Sequence, residues 1–273
     1  MGKNMVNSQN GTSKLALLRQ KRDGIKTKDT EENIEKAIDG YAASIDTKKM
    51  MAEIEKNSAH VNWIIDNSGS MDGTSGAIAQ EMNQFAARQA TKIYSTMLSL
   101  TLFDHEVQPK FNKLNAKEFI PVQPWICNGG TNIYDAIYSA ITPTIVTDAN
   151  IRLHMIITDG QNGRSYHSLS EVQRLVSEHI ANGDHIFLLY YDEFNYDNTS
   201  ESAKTYAKEL GINPNNAVNF DRNGDGIKII FQTVEDLLDG LRTTGTVPKD
   251  WARQIAAHAA NPELKAREIR YLE

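Results

Sequence analysis

Four short apolar runs, VNWII, LSLTLF, LHMIIT and HIFLLYY, recur from Val61 onward with helix-forming stretches between them. A strand that is apolar along nearly its whole length has to be covered on both faces, and crossover helices between parallel strands supply that cover. The alternation predicts an α/β fold: a doubly wound, mostly parallel sheet with helices on both faces. Helical patterns beginning near Ser75, Asn132, Ser168 and Ser200 fill the gaps, and a last domain helix is expected near Val234 to Leu241.

Helical extensions flank this region. Residues 1–28 carry Lys3, Lys14, Arg19, Lys21, Arg22, Lys26 and Lys28 against the single acid Asp23, which reads as a flexible basic arm. Residues 29–60 form the N-terminal extension. There Asp29 and Glu32 give a capping signal, and Ile34, Ile38, Tyr41 and Ile45 mark an apolar helix face. Gly40 and the Asp46-Thr47 step weaken the case for one uninterrupted helix. The sheet domain spans 61–245, and 246–273 is a helical tail that Pro262 breaks and that Trp251, Ile255 and Leu264 dock onto the domain.

Composition narrows the function classes. The chain has 273 residues, 29 basic and 35 acidic, for a net charge of -6. That balance argues against a nucleic-acid binder with a broad basic face. One cysteine, Cys127, excludes an internal disulfide and a multi-thiolate zinc site. The longest apolar run near the N-terminus, Leu15 to Leu18, falls far short of a secretion signal or of the ~20 residues that span a bilayer. The expectation is a cytoplasmic protein without a membrane partner.

The chemistry concentrates where the first strand ends. VNWII runs into Asp66-Asn67-Ser68-Gly69-Ser70-Met71, which places oxygen-bearing side chains at every second position. In a tight loop such alternation turns Asp66, Ser68 and Ser70 toward one point, as a hard divalent cation requires. Asp and Ser also cap helices and build turns, so the triplet alone leaves both readings open. Two further segments add to it: Gly129-Gly130-Thr131-Asn132 opens a helix, and Thr158-Asp159-Gly160 closes the strand LHMII. Ligands of open α/β sheets gather outside the carboxyl ends of the strands, where these loops fall.

Together these segments resemble a von Willebrand factor type A domain, whose metal-ion-dependent adhesion site uses Asp-x-Ser-x-Ser, a distant Thr and a distant Asp. The resemblance covers roughly Val61 to Thr244 and implies the metal ligands Asp66, Ser68, Ser70, Thr131 and Asp159. It implies an antiparallel strand as well, expected around Glu106 to Lys110. The segments IIDNSGSM, FDHEV and GGTNIYDAI are similar to stand-alone intracellular proteins of bacteria and phages, of the tellurite-resistance and stress-operon type.

The implied ion is Mg2+, with Mn2+ or Ca2+ as alternatives. Neutral hydroxyl ligands leave such an ion much of its positive field and an open position, so the expected guest is an acidic side chain of a partner protein. An AAA+ ATPase or a kinase–phosphatase system is the partner class that the resemblance suggests. Tyr196, in the aromatic and acidic segment after HIFLLYY, is a candidate partner contact on the rim. Asn67 and Asp72 read as turn or cap groups.

Asp221-Arg222-Asn223-Gly224-Asp225-Gly226 matches the first half of a calcium loop, but position twelve is Gln232. With the strand-like IKIIF arriving at once, the segment reads as a polar turn between two strands. There is no Gly-x-Ser-x-Gly elbow, zinc-protease helix or Walker loop, so no catalytic residue is assigned and the expectation is a binding module, not an enzyme. The alternatives are an assembly protein using its helical flanks and a metal-assisted phosphohydrolase.

Overall fold

The computed structural model describes residues 28–144, 149–160, 162–192 and 200–260. Most of the expected basic arm, Tyr196 and Leu264 lie outside the described residues. The chain divides into two compact units, 1–56 and 57–273. In the first, the described residues form one helix, α1 (Lys28–Lys56). It runs through Gly40 and Asp46-Thr47 without a break, although both steps weaken a helix. The Thr47 hydroxyl bonds back to the carbonyl of Ala43 at 2.8 Å, so this residue is accommodated within the helix.

The described residues of the second unit form six strands: β1 (Ala59–Asp66), β2 (Thr96–Phe103), β3 (Val107–Asn115), β4 (Ile151–Thr158), β5 (His185–Tyr190) and β6 (Ala217–Asn219). Their spatial order is β3-β2-β1-β4-β5-β6. All neighbours are parallel except β2 and β3, which pair antiparallel. The antiparallel strand is the expected one, extended to Asn115. The helices are α2 (Ser75–Ala90), α3 (Ile133–Ile141), α4 (Leu169–Ala181), α5 (Glu201–Glu209), α6 (Gly224–Thr244) and α7 (Arg253–Ala259). This is the α/β, doubly wound, mostly parallel architecture that the alternating apolar runs require.

Side chains alternate across each strand, so the sheet divides the interior into two cores. Val61, Trp63 and Ile65 of β1 join Leu153, Met155 and Ile157 of β4 on the face covered by α2, α6 and α7. Ile64 and Ile156 lie on the opposite face with α3, α4 and α5. The first core centres on three rings: Trp63 stacks on Phe231 at 4.4 Å and meets Phe85 edge-on at 5.7 Å. Trp251 and Ile255 are buried in the same core, with Trp251 against Phe187.

One segment departs from the sequence expectation. IKIIF is not a strand but the opening of α6, and the strand before it is the short β6. Ile227, Ile230, Phe231, Val234, Leu237, Leu238 and Leu241 are all buried, which is helical spacing carried across the whole segment. Asn223 caps this helix by accepting the amide of Gly226 at 2.8 Å, and Asp221 in turn accepts the amide of Asn223. The resemblance to a calcium loop is thus a strand-to-helix turn with an Asn cap.

Phe231→Ala removes the ring that stacks on Trp63 and is expected to cost about 3–5 kcal/mol. Ile93→Ala, at an exposed position, should stay within about 0.5 kcal/mol. Urea unfolding of the two variants beside the parent checks both values.

Candidate metal centre

Asp66 is the last residue of β1 and is buried. Its neighbours β2 and β4 lie on either side, and the chain leaves β1 through α2 on one face and β4 through α4 on the other. Crossovers departing to opposite faces open a crevice at the carboxyl ends of β1 and β4, where the ligands of such sheets sit. A one-turn helix, Gly69–Met71, folds the loop after β1 back over this crevice.

Backbone hydrogen bonds then tie three separate loops together. The Gly69 amide donates to Gly129 O at 3.2 Å, and the Asn128 amide donates to Asn67 O at 2.8 Å. The Gly163 amide donates to Thr131 O at 2.6 Å, which joins the loop after β4 to the start of α3. Gly129 adopts a φ of 80°, and a Cβ there would overlap the ring of His105, so this approach requires glycine.

Hydrogen bonds link Asp66, Ser68, Ser70 and Asp159 on this framework, and Thr131 lies against Gly160, the residue after Asp159. The Ser68 and Ser70 hydroxyls are 3.1 Å apart, and Ser70 Oγ donates to Asp159 Oδ1 at 2.8 Å. Asp66 Oδ1 accepts the Ser68 amide at 2.8 Å, and its Oδ2 accepts the Thr158 hydroxyl at 2.5 Å. Thr131 makes its approach through Gly160: a Cβ on that glycine would stand 2.7 Å from Thr131 Oγ1. The glycine therefore lets the Thr131 hydroxyl reach the backbone next to Asp159.

The electrostatics of this cluster suit a cation. Burial pushes the Asp66 carboxyl up to about 6; hydrogen bonds from Ser68 and Thr158 pull it down, and the charge of Asp159 raises it again. Its donors are neutral, so the ionised form lacks a compensating charge among them. Two carboxylates and three hydroxyls form an all-oxygen donor set, which fits a hard divalent ion. Asp66, Ser68, Ser70, Thr131 and Asp159 are the residues that would hold it.

Three supporting residues had no assigned role in the sequence reading. Thr158 orients Asp66. Asp104, directly after β2, accepts the Asn67 side chain at 3.3 Å and the Glu106 amide at 2.7 Å, while its carbonyl accepts the Asn132 amide. A signal existed for Asp104, since it too follows an apolar strand at the carboxyl edge. Arg222 gave none: it lies 152 residues from Ser70, donates to that carbonyl at 2.5 Å, and sits 4.8 Å over the Tyr191 ring.

A second polar cluster occupies the opposite half of the sheet. Ligand atoms of His154, His179 and Asp184 lie within 4.8 Å of one another. Asn62 Nδ2 lies 3.1 Å from His154 Nδ1 and also donates to the carbonyl of Ala140, which assigns the His154 proton to Nε2. Asp184 Oδ2 then accepts His154 Nε2–H at 3.1 Å and His179 Nδ1–H at 2.6 Å, while Oδ1 pairs with Arg152. The carboxylate is already neutralised and its oxygens are engaged, so the cluster reads as a buried staple joining β4, α4 and the start of β5. Burial would raise the Asp184 carboxyl, but bonds and charge from His154, His179 and Arg152 hold it well below the usual range.

No protein-family model matches the chain, and no curated protein matches it. Solved structures do. The proximal thread matrix protein 1 from the mussel byssus, with a zinc-occupied MIDAS motif, matches with a TM-score of 0.50 at 16% identity, covering 68% of this chain and 46% of that one. The chain adopts a von Willebrand factor type A fold. A mutant of the PilB minor pilin from Streptococcus sanguinis matches with a TM-score of 0.50 at 10% identity, over 69% of this chain and 63% of that one. The vWF domain of the type V pili tip protein Mfa5 from Porphyromonas gingivalis matches at 0.47 and 11% identity, over 66% and 95%. This chain thus spans less than half of the mussel protein's length. No helix among the described residues is long and apolar enough to cross a membrane.

Two outcomes test this geometry. Gly160→Ala is expected to displace Thr131 and weaken any divalent-cation binding about 10–100-fold while the circular dichroism of the fold is retained, as measured by calorimetric titration. Acid should weaken the polar half of the sheet. Burial pushes the His60 imidazole down to about 3, so its neutral form is favoured in the folded state. Its contribution is complete above the unfolded value of about 6.5 and is lost as pH falls toward 3. Urea midpoints measured from about pH 7 to pH 4 should fall, and less steeply in His60→Gln.

Proposed function

We propose that this protein is a Mg2+-dependent binding module, an adaptor that captures an acidic side chain of a partner protein at the Asp66, Ser68, Ser70, Thr131 and Asp159 site. The observation that carries the reading is the convergence of these five oxygen-bearing side chains from three loops tied by backbone hydrogen bonds. A bound divalent ion would supply a positive field at the rim. Ser68, Ser70 and Thr131 would contribute oxygen without charge, so that field is only partly cancelled and favours an incoming carboxylate. Asp66, anchored by Thr158 and the Ser68 amide, sets the floor of the site, and Asp159 aligns Ser70.

The zinc-occupied MIDAS motif of the mussel protein lends support to metal at this place in the fold. The segments IIDNSGSM, FDHEV and GGTNIYDAI support a stand-alone intracellular protein of bacterial or phage type. On that reading it works in the cytoplasm beside an AAA+ ATPase or a kinase–phosphatase system, without chemistry of its own.

The test is a pulldown from host lysate with the parent chain and with Ser68→Ala/Ser70→Ala, each in Mg2+ and in EDTA. A protein retained only by the parent in Mg2+, with at least tenfold enrichment over the other three lanes, is the expected result. Equal retention in all four lanes overturns the reading. Thr131→Ala and Asp159→Ala, checked for retained fold, should lose capture as well.

A further inference from the structure

Residues 119–126 read Phe-Ile-Pro-Val-Gln-Pro-Trp-Ile and belong to neither a helix nor a strand. The segment is nonetheless held in one shape. Asn83 of α2 clasps the backbone of Val122, its Nδ2 donating to the carbonyl at 3.0 Å and its Oδ1 accepting the amide at 2.9 Å. Ser75, at the start of α2, donates to the carbonyl of Trp125 at 2.6 Å. Those two helix positions are separated by about 12 Å of helix rise. A chain three residues long covers most of that span only when nearly fully extended, since each residue adds at most about 3.5 Å.

Two prolines select the kind of extension. Proline fixes its own φ at about −65° and pushes the residue before it into extended backbone, so Ile120-Pro121 and Gln123-Pro124 both favour the polyproline II conformation. Phe119, at φ −64° and ψ 128°, already adopts it. Burial follows the three-residue turn of that helix, not the two-residue alternation of a strand. Phe119, Val122 and Trp125 pack against the core, with Phe119 edge-on to Phe111 at 5.5 Å. Between them Ile120, Pro121, Gln123, Pro124 and Ile126 are exposed, Ile120 at 73% and Ile126 at 87%.

The shape and charge of this segment decide what can cover it. It is a convex ridge, and a second copy of the chain would offer another ridge of the same shape. No charged residue occurs between Glu118 and Asp135, so the ridge carries no cation to draw it to an anionic lipid surface. A groove fits. Ile120-Pro121 and Gln123-Pro124 stand out as two successive pairs, with Val122 between them turned toward the core. Aromatic-lined grooves dock such Pro-x-x-Pro segments, and a ligand already held in its bound shape loses little conformational entropy on docking.

We infer that residues 120–126 form a docking ridge for a partner domain whose aromatic-lined groove reads Pro-x-x-Pro segments. The ridge runs toward the metal loop, where the Asn128 amide donates to Asn67 O at 2.8 Å, but it uses none of the five candidate metal residues. Recognition at the ridge therefore needs no bound ion and does not rest on the adaptor reading. Asn83 and Ser75 serve as positioning residues, since they fix the backbone of the ridge from the side of α2.

The probe is a panel of purified SH3 and WW domains titrated into the full chain and followed by NMR of the Trp125 indole. At least one domain is expected to bind with a Kd of about 100 µM, equally in Mg2+ and in EDTA, and a decaproline peptide should displace it. Pro121→Ala/Pro124→Ala and Ile120→Ser/Ile126→Ser, each checked for retained circular dichroism, should weaken that binding by about tenfold or more. Asn83→Ala loosens the ridge without changing its outer face and should weaken binding about threefold. Ile93→Ser, at an exposed position elsewhere, and Ser68→Ala/Ser70→Ala should bind as the parent does. Binding by no domain of the panel, binding that survives both ridge variants, or binding that requires Mg2+ overturns the inference. Co-sedimentation with phosphatidylcholine vesicles that Ile120→Ser/Ile126→Ser abolishes would overturn it as well, by making the ridge a membrane contact.

Discussion

The burial of the Asp66 carboxylate at the end of β1 organises the functional edge of the molecule. A carboxylate withdrawn from water needs hydrogen-bond donors or a positive charge. Here the donors come from two places, the amide of Ser68 in its own loop and the hydroxyl of Thr158 on the neighbouring strand. Satisfying it therefore bends the loop after β1 back over the sheet and holds it to β4. Ser70 and Asp159 then meet across the same crevice, and Gly69 and Asn128 complete the junction with the loop before α3.

The opposite half of the same sheet shows a different solution to buried polarity. On the face covered by α3 and α4, the carboxyl-terminal part of the strands carries Ile64, Ile156 and Leu188, while the amino-terminal part carries His60, Asn62, Ser99 and His154. Those polar groups are mutually bonded, with His154 and His179 donating to Asp184 and Arg152 balancing its charge. At this end the neutralising charge belongs to the chain; at the Asp66 end it would come from a bound ion. That difference in provision separates a staple from a site, although both contain a buried aspartate.

Much of the fold was legible because the apolar runs are long and unambiguous: VNWII, LHMIIT and HIFLLYY lie in or overlap strands β1, β4 and β5. IKIIF misled for a local reason. Over five residues an apolar run serves a strand or a buried helix equally well, and only the continuation through Val234, Leu237, Leu238 and Leu241 reveals the helical period. β6, at three residues, is too short to leave a pattern of its own. The five candidate site residues were named from the family resemblance; Asp66, Ser68, Ser70 and Asp159 stand at or just after strand ends, and Thr131 stands just before α3. Arg222 was not, because it acquires its role from Ser70 and Tyr191, far away in sequence.

The sequence by itself determined the layered α/β architecture, since continuous apolar strands have to be covered on both faces and the helical stretches between them supply that cover. It also determined which oxygen-bearing residues stand at the strand ends. Tertiary structure alone decided that Thr131 rests against Gly160 and that Thr158 rather than a charged group holds Asp66. The physical reason is the same in each case. These arrangements depend on which loops the strand order brings together, and distances between loops are set by packing and backbone hydrogen bonds that no local pattern of residues records.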